Sequence, residues 1–304
     1  ARWPTAADLA VADEDELLAA WQGLGYYRRA RNQAAAAREV TARGGRWPVD
    51  AEELRALPGV GEYTAAAVAS IAHGRPAAAV DGNVERVLSR LAALDLDPRK
   101  APGKRAVRSL ATILLAPRRP GDFNQAMMEL GATLCRPRSP SCTECPVSEH
   151  CAAHAADEAE RYPRLAPRPR PVAVTRVAAL ITRGRKVLMT RRDRSPNEGF
   201  LELPQCDLTT ELLDEDGRPA HGADDVRSLL AELGLEAPRL RPCAVHRHAI
   251  TRYRIAVWPW RGSVSSGRVN LPHAWVSPRE VDRPVTTASR KILAASAPEL
   301  FEEA

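Results

Sequence analysis

Leu57-Pro58-Gly59-Val60-Gly61-Glu62-Tyr63-Thr64, running through an Ala/Val-rich helix to Val80-Asp81-Gly82-Asn83, is the stretch on which the reading of this chain turns. A short helix is expected ahead of it. Asp50 stands where an N-cap belongs, Glu53 where a capping-box partner belongs, and Leu54 and Leu57 give that helix an apolar face. Pro58 cannot continue the helix, and Gly59 and Gly61 allow a tight reversal with close backbone approach. A second helix is expected from about Glu62. Its free N–H groups and dipole point outward, making an anion site with no bulky side chain in front of it.

Two helices joined by such a turn form a helix-hairpin-helix, a device that grips a phosphate without reading sequence. The plain alternative is an ordinary helix turn, since L-P-G-x-G also occurs in unrelated loops. Asp81 follows, at the head of a further helix expected over Val84–Leu94. There an aspartate commonly serves as an N-cap. A phosphate anchor followed by a carboxylate on the same surface points to chemistry on a nucleotide.

The chain has 304 residues, enough for two domains with separate cores. Hydrophobic residues make up 44%, but no apolar run is long enough to span a bilayer and no secretory signal is visible. The formal net charge of +6 favours an acidic partner such as nucleic acid. Almost all the positive charge is arginine; the lysines are Lys100, Lys104, Lys186 and Lys291. Four of the six cysteines crowd into one segment while Cys206 and Cys243 stand alone. A disulfide framework would spread them, so the usage reads as an intracellular chain with a metal site.

Asp13 to Trp21 is amphipathic and expected to be helical. It leads into Trp21-Gln22-Gly23-Leu24-Gly25-Tyr26-Tyr27-Arg28-Arg29-Ala30-Arg31-Asn32, where two glycines bend the backbone, two tyrosines read as exposed, and a strongly basic helix begins. Aromatics beside Arg29 and Arg31 suit a wedge in a stacked duplex with phosphate clamps around it. A solvated basic helix with a tyrosine packed beneath it is the plain alternative. Helices are also expected over Lys104–Leu115 and Phe123–Leu134. The latter runs into Cys135-x6-Cys142-x2-Cys145-x5-Cys151. Zinc held by four cysteines usually shows two close pairs, whereas this run has one, a spacing that suits the wider corners of an iron–sulfur cubane.

Arg161–Pro171 alternates proline with arginine and reads as a semi-stiff connector. Beyond it, Val172–Ile181 and Lys186–Arg191 read as a β-hairpin around Gly184-Arg185, Asp224–Leu233 as a helix, Tyr253–Trp260 as a strand and Thr287–Ala295 as a closing helix. Strands around two helices make an α+β domain.

Leu57–Thr64 with Asp81-Gly82-Asn83, and the cysteine loop, resemble the endonuclease III superfamily of helix-hairpin-helix DNA glycosylases. Gly23–Asn32, Phe123–Gly131 and the β-rich C-terminal part are similar to its adenine-removing branch. The resemblance implies a multidomain α and α+β chain. An all-helical glycosylase domain would span 1–134 and an iron–sulfur cluster loop 135–151. A Pro/Arg-rich linker over 152–171 and a Nudix-like α+β domain over 172–304 would follow. It further implies a 4Fe–4S cluster on Cys135, Cys142, Cys145 and Cys151, and double-stranded DNA with A:8-oxoguanine or A:G mispairs as partner. A monomer in the cytoplasm of a bacterium, near the nucleoid and away from membrane, is expected. The reaction implied is removal of the mispaired adenine, everted from the stack. Asp81 would stabilise the oxocarbenium-like sugar or bond it transiently, with Asn83 and Tyr63 orienting it and keeping it ionised. Gly59, Val60 and Gly61 would hold phosphate, Tyr26 would intercalate, and Gln125 would touch the flipped base.

Lyase members of the superfamily carry a nucleophilic lysine at the hairpin position occupied here by Tyr63, so a monofunctional glycosylase is expected. In the Nudix-like part, Arg227-Ser228-Leu229-Leu230-Ala231-Glu232-Leu233-Gly234 lacks two of three metal-holding carboxylates, which argues against pyrophosphate hydrolysis. His248-Ala249-Ile250-Thr251-Arg252 falls where the family senses 8-oxoguanine, with Ile250 as apolar wedge and Thr251 supplying the hydroxyl; a plain strand-edge loop is the alternative. The family's acid glutamate lies upstream of Ala1, and Glu14 and Glu16 belong to a later helix that faces solvent. The chain as given is therefore expected to bind DNA weakly, to excise adenine very slowly and to expose part of its helical core. Two further readings compete: a lesion-binding remnant without catalysis, and an endonuclease III-like glycosylase/lyase, which Tyr63 disfavours.

Overall fold

Small and apolar residues at helical spacing, broken by Gly and Pro, set the first half of the chain as helices. A computed structural model describes residues 2–167, 169–193, 198–236, 239–279 and 284–301. In it the helices are α1 (Ala6–Ala10), α2 (Glu14–Ala20), α3 (Arg28–Ala42), α4 (Ala51–Arg55), α5 (Glu62–His73), α6 (Gly82–Leu91), α7 (Ala101–Leu114), α8 (Pro120–Thr133), α9 (Ala152–Ala155), α10 (Gly222–Glu232) and α11 (Thr287–Ser296). The strands are β1 (Val172–Arg183), β2 (Lys186–Arg191), β3 (Leu201–Glu202), β4 (Gln205–Leu208), β5 (Arg241–Pro242), β6 (His246–Ile250), β7 (Tyr253–Ser263) and β8 (His273–Val276). Residues up to 11 and from 32 to 168 form one unit; residues 12–31 and those from 169 onward form the other.

In the first unit, α4 and α5 pack on the inner face of α3. Leu54 and Leu57 are buried with Ala36, Val40, Ala65 and Ala69. Asp50 precedes α4 in extended conformation, but its side chain makes no cap hydrogen bond and pairs instead with Arg75 at 3.2 Å, so the expected capping box does not form. A second core joins Val84 and Leu88 of α6 to Val107 and Ala111 of α7, with Met127 and Met128 of α8 alongside. α6 thus sits among α7, α8 and α9.

The second unit is a mixed sheet in the order β3-β2-β1-β7-β5, with β4 also on β1, β6 on β7 and β8 on β2. The long strands β1 and β7 pair in parallel and the remaining pairings are antiparallel. β1 is buried on both faces, as a central strand must be. Ala178 and Leu180 face a core with Ile292 and Leu293 of α11, while Val177, Ala179 and Ile181 face one with Val226 and Leu230 of α10. The α+β class expected for this half holds, as does the hairpin at Gly184. Residues 12–31, expected with the helical half, group here instead. Leu17 and Leu18 of α2 are buried, and the edge of the buried Tyr27 ring meets Phe200 at 4.2 Å between centroids. No helix among the described residues is long and apolar enough to cross a membrane.

Candidate nucleic-acid and cysteine sites

The reversal between α4 and α5 is built on Gly59, at φ +73°, a value that an L side chain rarely adopts. A Cβ there would also lie 2.1 Å from the Asn32 side chain, so the glycine is required twice over. Gly61 differs: it is extended, exposed, and has nothing near its absent Cβ. It is the N-cap of α5 and supplies no side-chain acceptor, so the first N–H groups of α5 open to solvent. Val60 is partly buried against the α3 core and donates its N–H to the Leu57 carbonyl at 3.1 Å. Of the two glycines, Gly61 is open to its surroundings, whereas Gly59 is packed against Asn32.

Asp81 is the N-cap of α6. Its Oδ1 accepts from the Val84 N–H at 2.8 Å, and its side chain accepts no other hydrogen bond among the described residues. The segment leading to it is pinned by a buried side chain from within the Phe123–Gly131 run. Asn124 of α8 accepts from the Ala79 N–H at 3.1 Å and donates to the Ala77 carbonyl and the Ser70 hydroxyl, both at 2.8 Å. One amide therefore ties α5, α8 and the approach to Asp81 together. Tyr63 does not reach Asp81: its hydroxyl meets the Met128 sulfur at 3.2 Å. Asn83 does not either, since its Oδ1 accepts from Arg86 at 2.9 Å. Glu85, one turn into α6, has its carboxyl raised above the usual range, first by burial, against the pull of Lys104 and helped by the charge of Asp81. Gln125 is exposed on α8 and, among the described residues, its side chain donates only to the Gly121 carbonyl, at 3.2 Å.

From Asp81, α6 leads directly to the cysteine loop. Arg86 donates to the carbonyls of Cys135 and Gly131, each at 2.7 Å. Burial lowers the Arg86 guanidinium, and the neighbouring Cys135 opposes that shift. One turn on, the buried Arg90 donates to the Cys135 sulfur at 3.2 Å and to the Arg136 carbonyl at 2.7 Å. Cys135, Cys142, Cys145 and Cys151 together line one small cavity with Arg90 and His154. Burial raises the Cys142 thiol, and the other three cysteines add to it, which reflects how closely the four converge. All four are free thiols, and among the described residues no group of three or more His, Cys, Asp or Glu side chains is arranged to hold a metal ion. Four thiols bordering one cavity fit by residue type the four-cysteine ligation that iron–sulfur clusters take.

In the other unit, Gly23 and Gly25 take positive φ and Tyr26 follows at +50°, with its ring 84% exposed. The Arg29 guanidinium lies 5.4 Å from the Tyr26 ring centre and 5.6 Å from that of Trp21. Tyr27, expected to be exposed like its neighbour, is buried, and its hydroxyl accepts from the Gly23 N–H. Arg31 is not a free clamp: it pairs with Glu14 at 2.8 Å and donates to the Glu198 carbonyl. Thr251 sits at φ +50° on the tip between β6 and β7, exposed, with its hydroxyl donating to the Ile250 carbonyl at 2.8 Å. Ile250 leans on the α11-side core and is not a free wedge.

Residues 1–112 match the family model of the HhH-GPD superfamily base excision DNA repair protein. The adenine DNA glycosylase of Homo sapiens is 49% identical over 162 residues, covering 53% of this chain and 30% of that one. The Arabidopsis thaliana adenine DNA glycosylase is 38% identical over 244 residues, covering 69% and 39%. That of Mycolicibacterium smegmatis is 41% identical over 152 residues, covering 49% and 50%. Among solved structures, a thermostable thymine-DNA glycosylase is 31% identical, with 51% of this chain and 72% of that one covered and a TM-score of 0.47. The chain spans from under a third to a half of the length of these three curated relatives.

Proposed function

We propose that this chain, whose residues 1–112 match the HhH-GPD base excision DNA repair family model, is an adenine DNA glycosylase of that superfamily. Its reaction is hydrolysis of the bond between adenine and deoxyribose where adenine stands opposite 8-oxoguanine or guanine in duplex DNA. The observation that carries this reading is Asp81: a carboxylate on a helix N-terminus with one oxygen used for the cap and the other without a hydrogen bond among the described residues, on a segment that Asn124 holds in place. An anion so placed stabilises the positive charge that grows on the sugar as the base departs.

The other parts serve delivery. Gly59 and Gly61 offer backbone N–H groups to a phosphate next to the everted nucleotide, with Val60 between them fixing the turn through its N–H to the Leu57 carbonyl. Tyr26, exposed and backed by Arg29, fills the gap left in the stack. Gln125 meets the extruded base, and Thr251 on the second unit, whose sequence resembles a Nudix domain, meets the 8-oxoguanine. Cys135, Cys142, Cys145 and Cys151 hold a 4Fe–4S cluster, whose role when bound is to fix the loop; the residues that carry this to the sugar side are Arg86 and Asn83 on α6. Tyr63 leaves the hairpin without an amine, so no Schiff base forms and the phosphodiester backbone stays intact. Glu14 is exposed and paired with Arg31, which leaves it unsuited to protonate the base.

Single-turnover assays on duplexes with adenine opposite 8-oxoguanine, adenine opposite guanine, and an oxidised pyrimidine test the proposal. Adenine release without strand cleavage is expected from the first two only. Release of the pyrimidine, or a borohydride-trapped covalent adduct, would overturn it.

A further inference from the structure

Arg90 is the bulkiest of the fully buried side chains among the described residues, 2% exposed. A guanidinium keeps its charge at any ordinary pH, so burying it demands compensation. Its Nε donates to the Tyr162 carbonyl at 3.1 Å, Nη1 to the Arg136 carbonyl at 2.7 Å and the Cys135 sulfur at 3.2 Å, and Nη2 to the Pro137 carbonyl at 3.1 Å. Three of these partners are neutral carbonyls. No carboxylate among the described residues is paired with it, and Arg86 one turn away adds a second cation. The remaining partner is a thiol, and the other three thiols border the same cavity. Arg90 also reaches the far end of the loop through its backbone, whose carbonyl accepts from the Cys151 thiol at 3.5 Å.

We propose that Arg90 is the counter-charge of the four-cysteine centre and sets its reduction potential through Cys135. The inference rests on the reading that the four cysteines hold an iron–sulfur cluster. Four thiolates around such a cluster leave it net negative, which supplies the anion that a buried, carboxylate-free arginine lacks. An N–H donated to a ligating sulfur, together with a fixed positive charge beside it, favours the more negative, reduced state. Arg90 is thus a positioning residue whose effect is electrostatic as well as structural.

The test uses the full chain as wild type, Arg90→Lys and Arg90→Gln, each reconstituted anaerobically with iron and sulfide. Iron and acid-labile sulfide per chain and the reduction potential by voltammetry are read. Wild type is expected to load the cluster, Arg90→Lys to keep both content and potential near wild type, and Arg90→Gln to lose most of the cluster and shift the remainder to a more negative potential. Equal potentials in wild type and a loaded Arg90→Gln would overturn the proposal. So would an Arg90→Lys chain that fails as Arg90→Gln does, because the charge would then not be what matters. A wild-type chain that takes up neither iron nor sulfide sinks the cluster reading itself, a failure distinct from matching potentials in loaded proteins.

Discussion

Asp81 and Glu85 lie one turn apart on α6 and meet different surroundings. Asp81 stands at the helix head with a cap hydrogen bond, while Glu85 is partly buried beside Lys104 with its carboxyl raised. A carboxyl with a folded pKa above its unfolded value, near 4.5, contributes its stability below that value and loses it as pH rises through the folded pKa. Ionised Glu85 is therefore a cost at neutral pH. Glu85→Gln is expected to raise Tm at pH 7 by about 1–3 °C and to converge with wild type in acid, measured by thermal unfolding across pH; a lower Tm at pH 7 would contradict this. At this scale the sequence was legible where a residue acts through its own backbone, as at Asp81 and Gly59. It was silent where a side chain reaches across the fold. Nothing near Asn124 in sequence says that its amide meets Ser70, Ala77 and Ala79, and Arg90 reads as one more surface arginine until its partners at 135–137 and 162 are seen. Tyr26 and Tyr27 are alike in sequence, and only packing on Phe200 separates them.

The two hairpin glycines divide structural need from functional use. Gly59→Ala is expected to strain the backbone at φ +73° and to collide with Asn32, costing about 1–3 kcal/mol of stability. Gly61→Ala places a methyl in open space and leaves stability within about 0.5 kcal/mol, yet it crowds the exposed N–H groups ahead of α5. Duplex affinity should therefore fall for Gly61→Ala at nearly unchanged Tm, as fluorescence anisotropy and thermal unfolding would show. Unchanged affinity would remove the hairpin from the DNA interface. Element boundaries were readable to within a few residues because caps and breakers are local: α5 ends on Gly74 at φ +62° and α11 starts behind the Thr286 cap. The capping box at Asp50 failed because Arg75, distant in sequence, competes for that carboxylate.

Across the whole molecule, alternation on β1 and β7 and the Pro/Arg-rich run before them announced a second, sheet-containing half. The grouping of residues 12–31 with that half was not legible, because it depends on contacts such as that of Tyr27 with Phe200, far along the chain. In the helical half, α6 carries Asp81 at its head and Arg86 and Arg90, which donate to Cys135, further along. The central claim, that this aspartate meets the sugar of an adenine nucleotide, is tested most directly by single-turnover adenine release from an A:8-oxoguanine duplex, comparing wild type with Asp81→Asn. Asparagine keeps the cap and hence the fold. Release should fall by at least about 100-fold at unchanged Tm; equal rates in the two proteins would contradict the account.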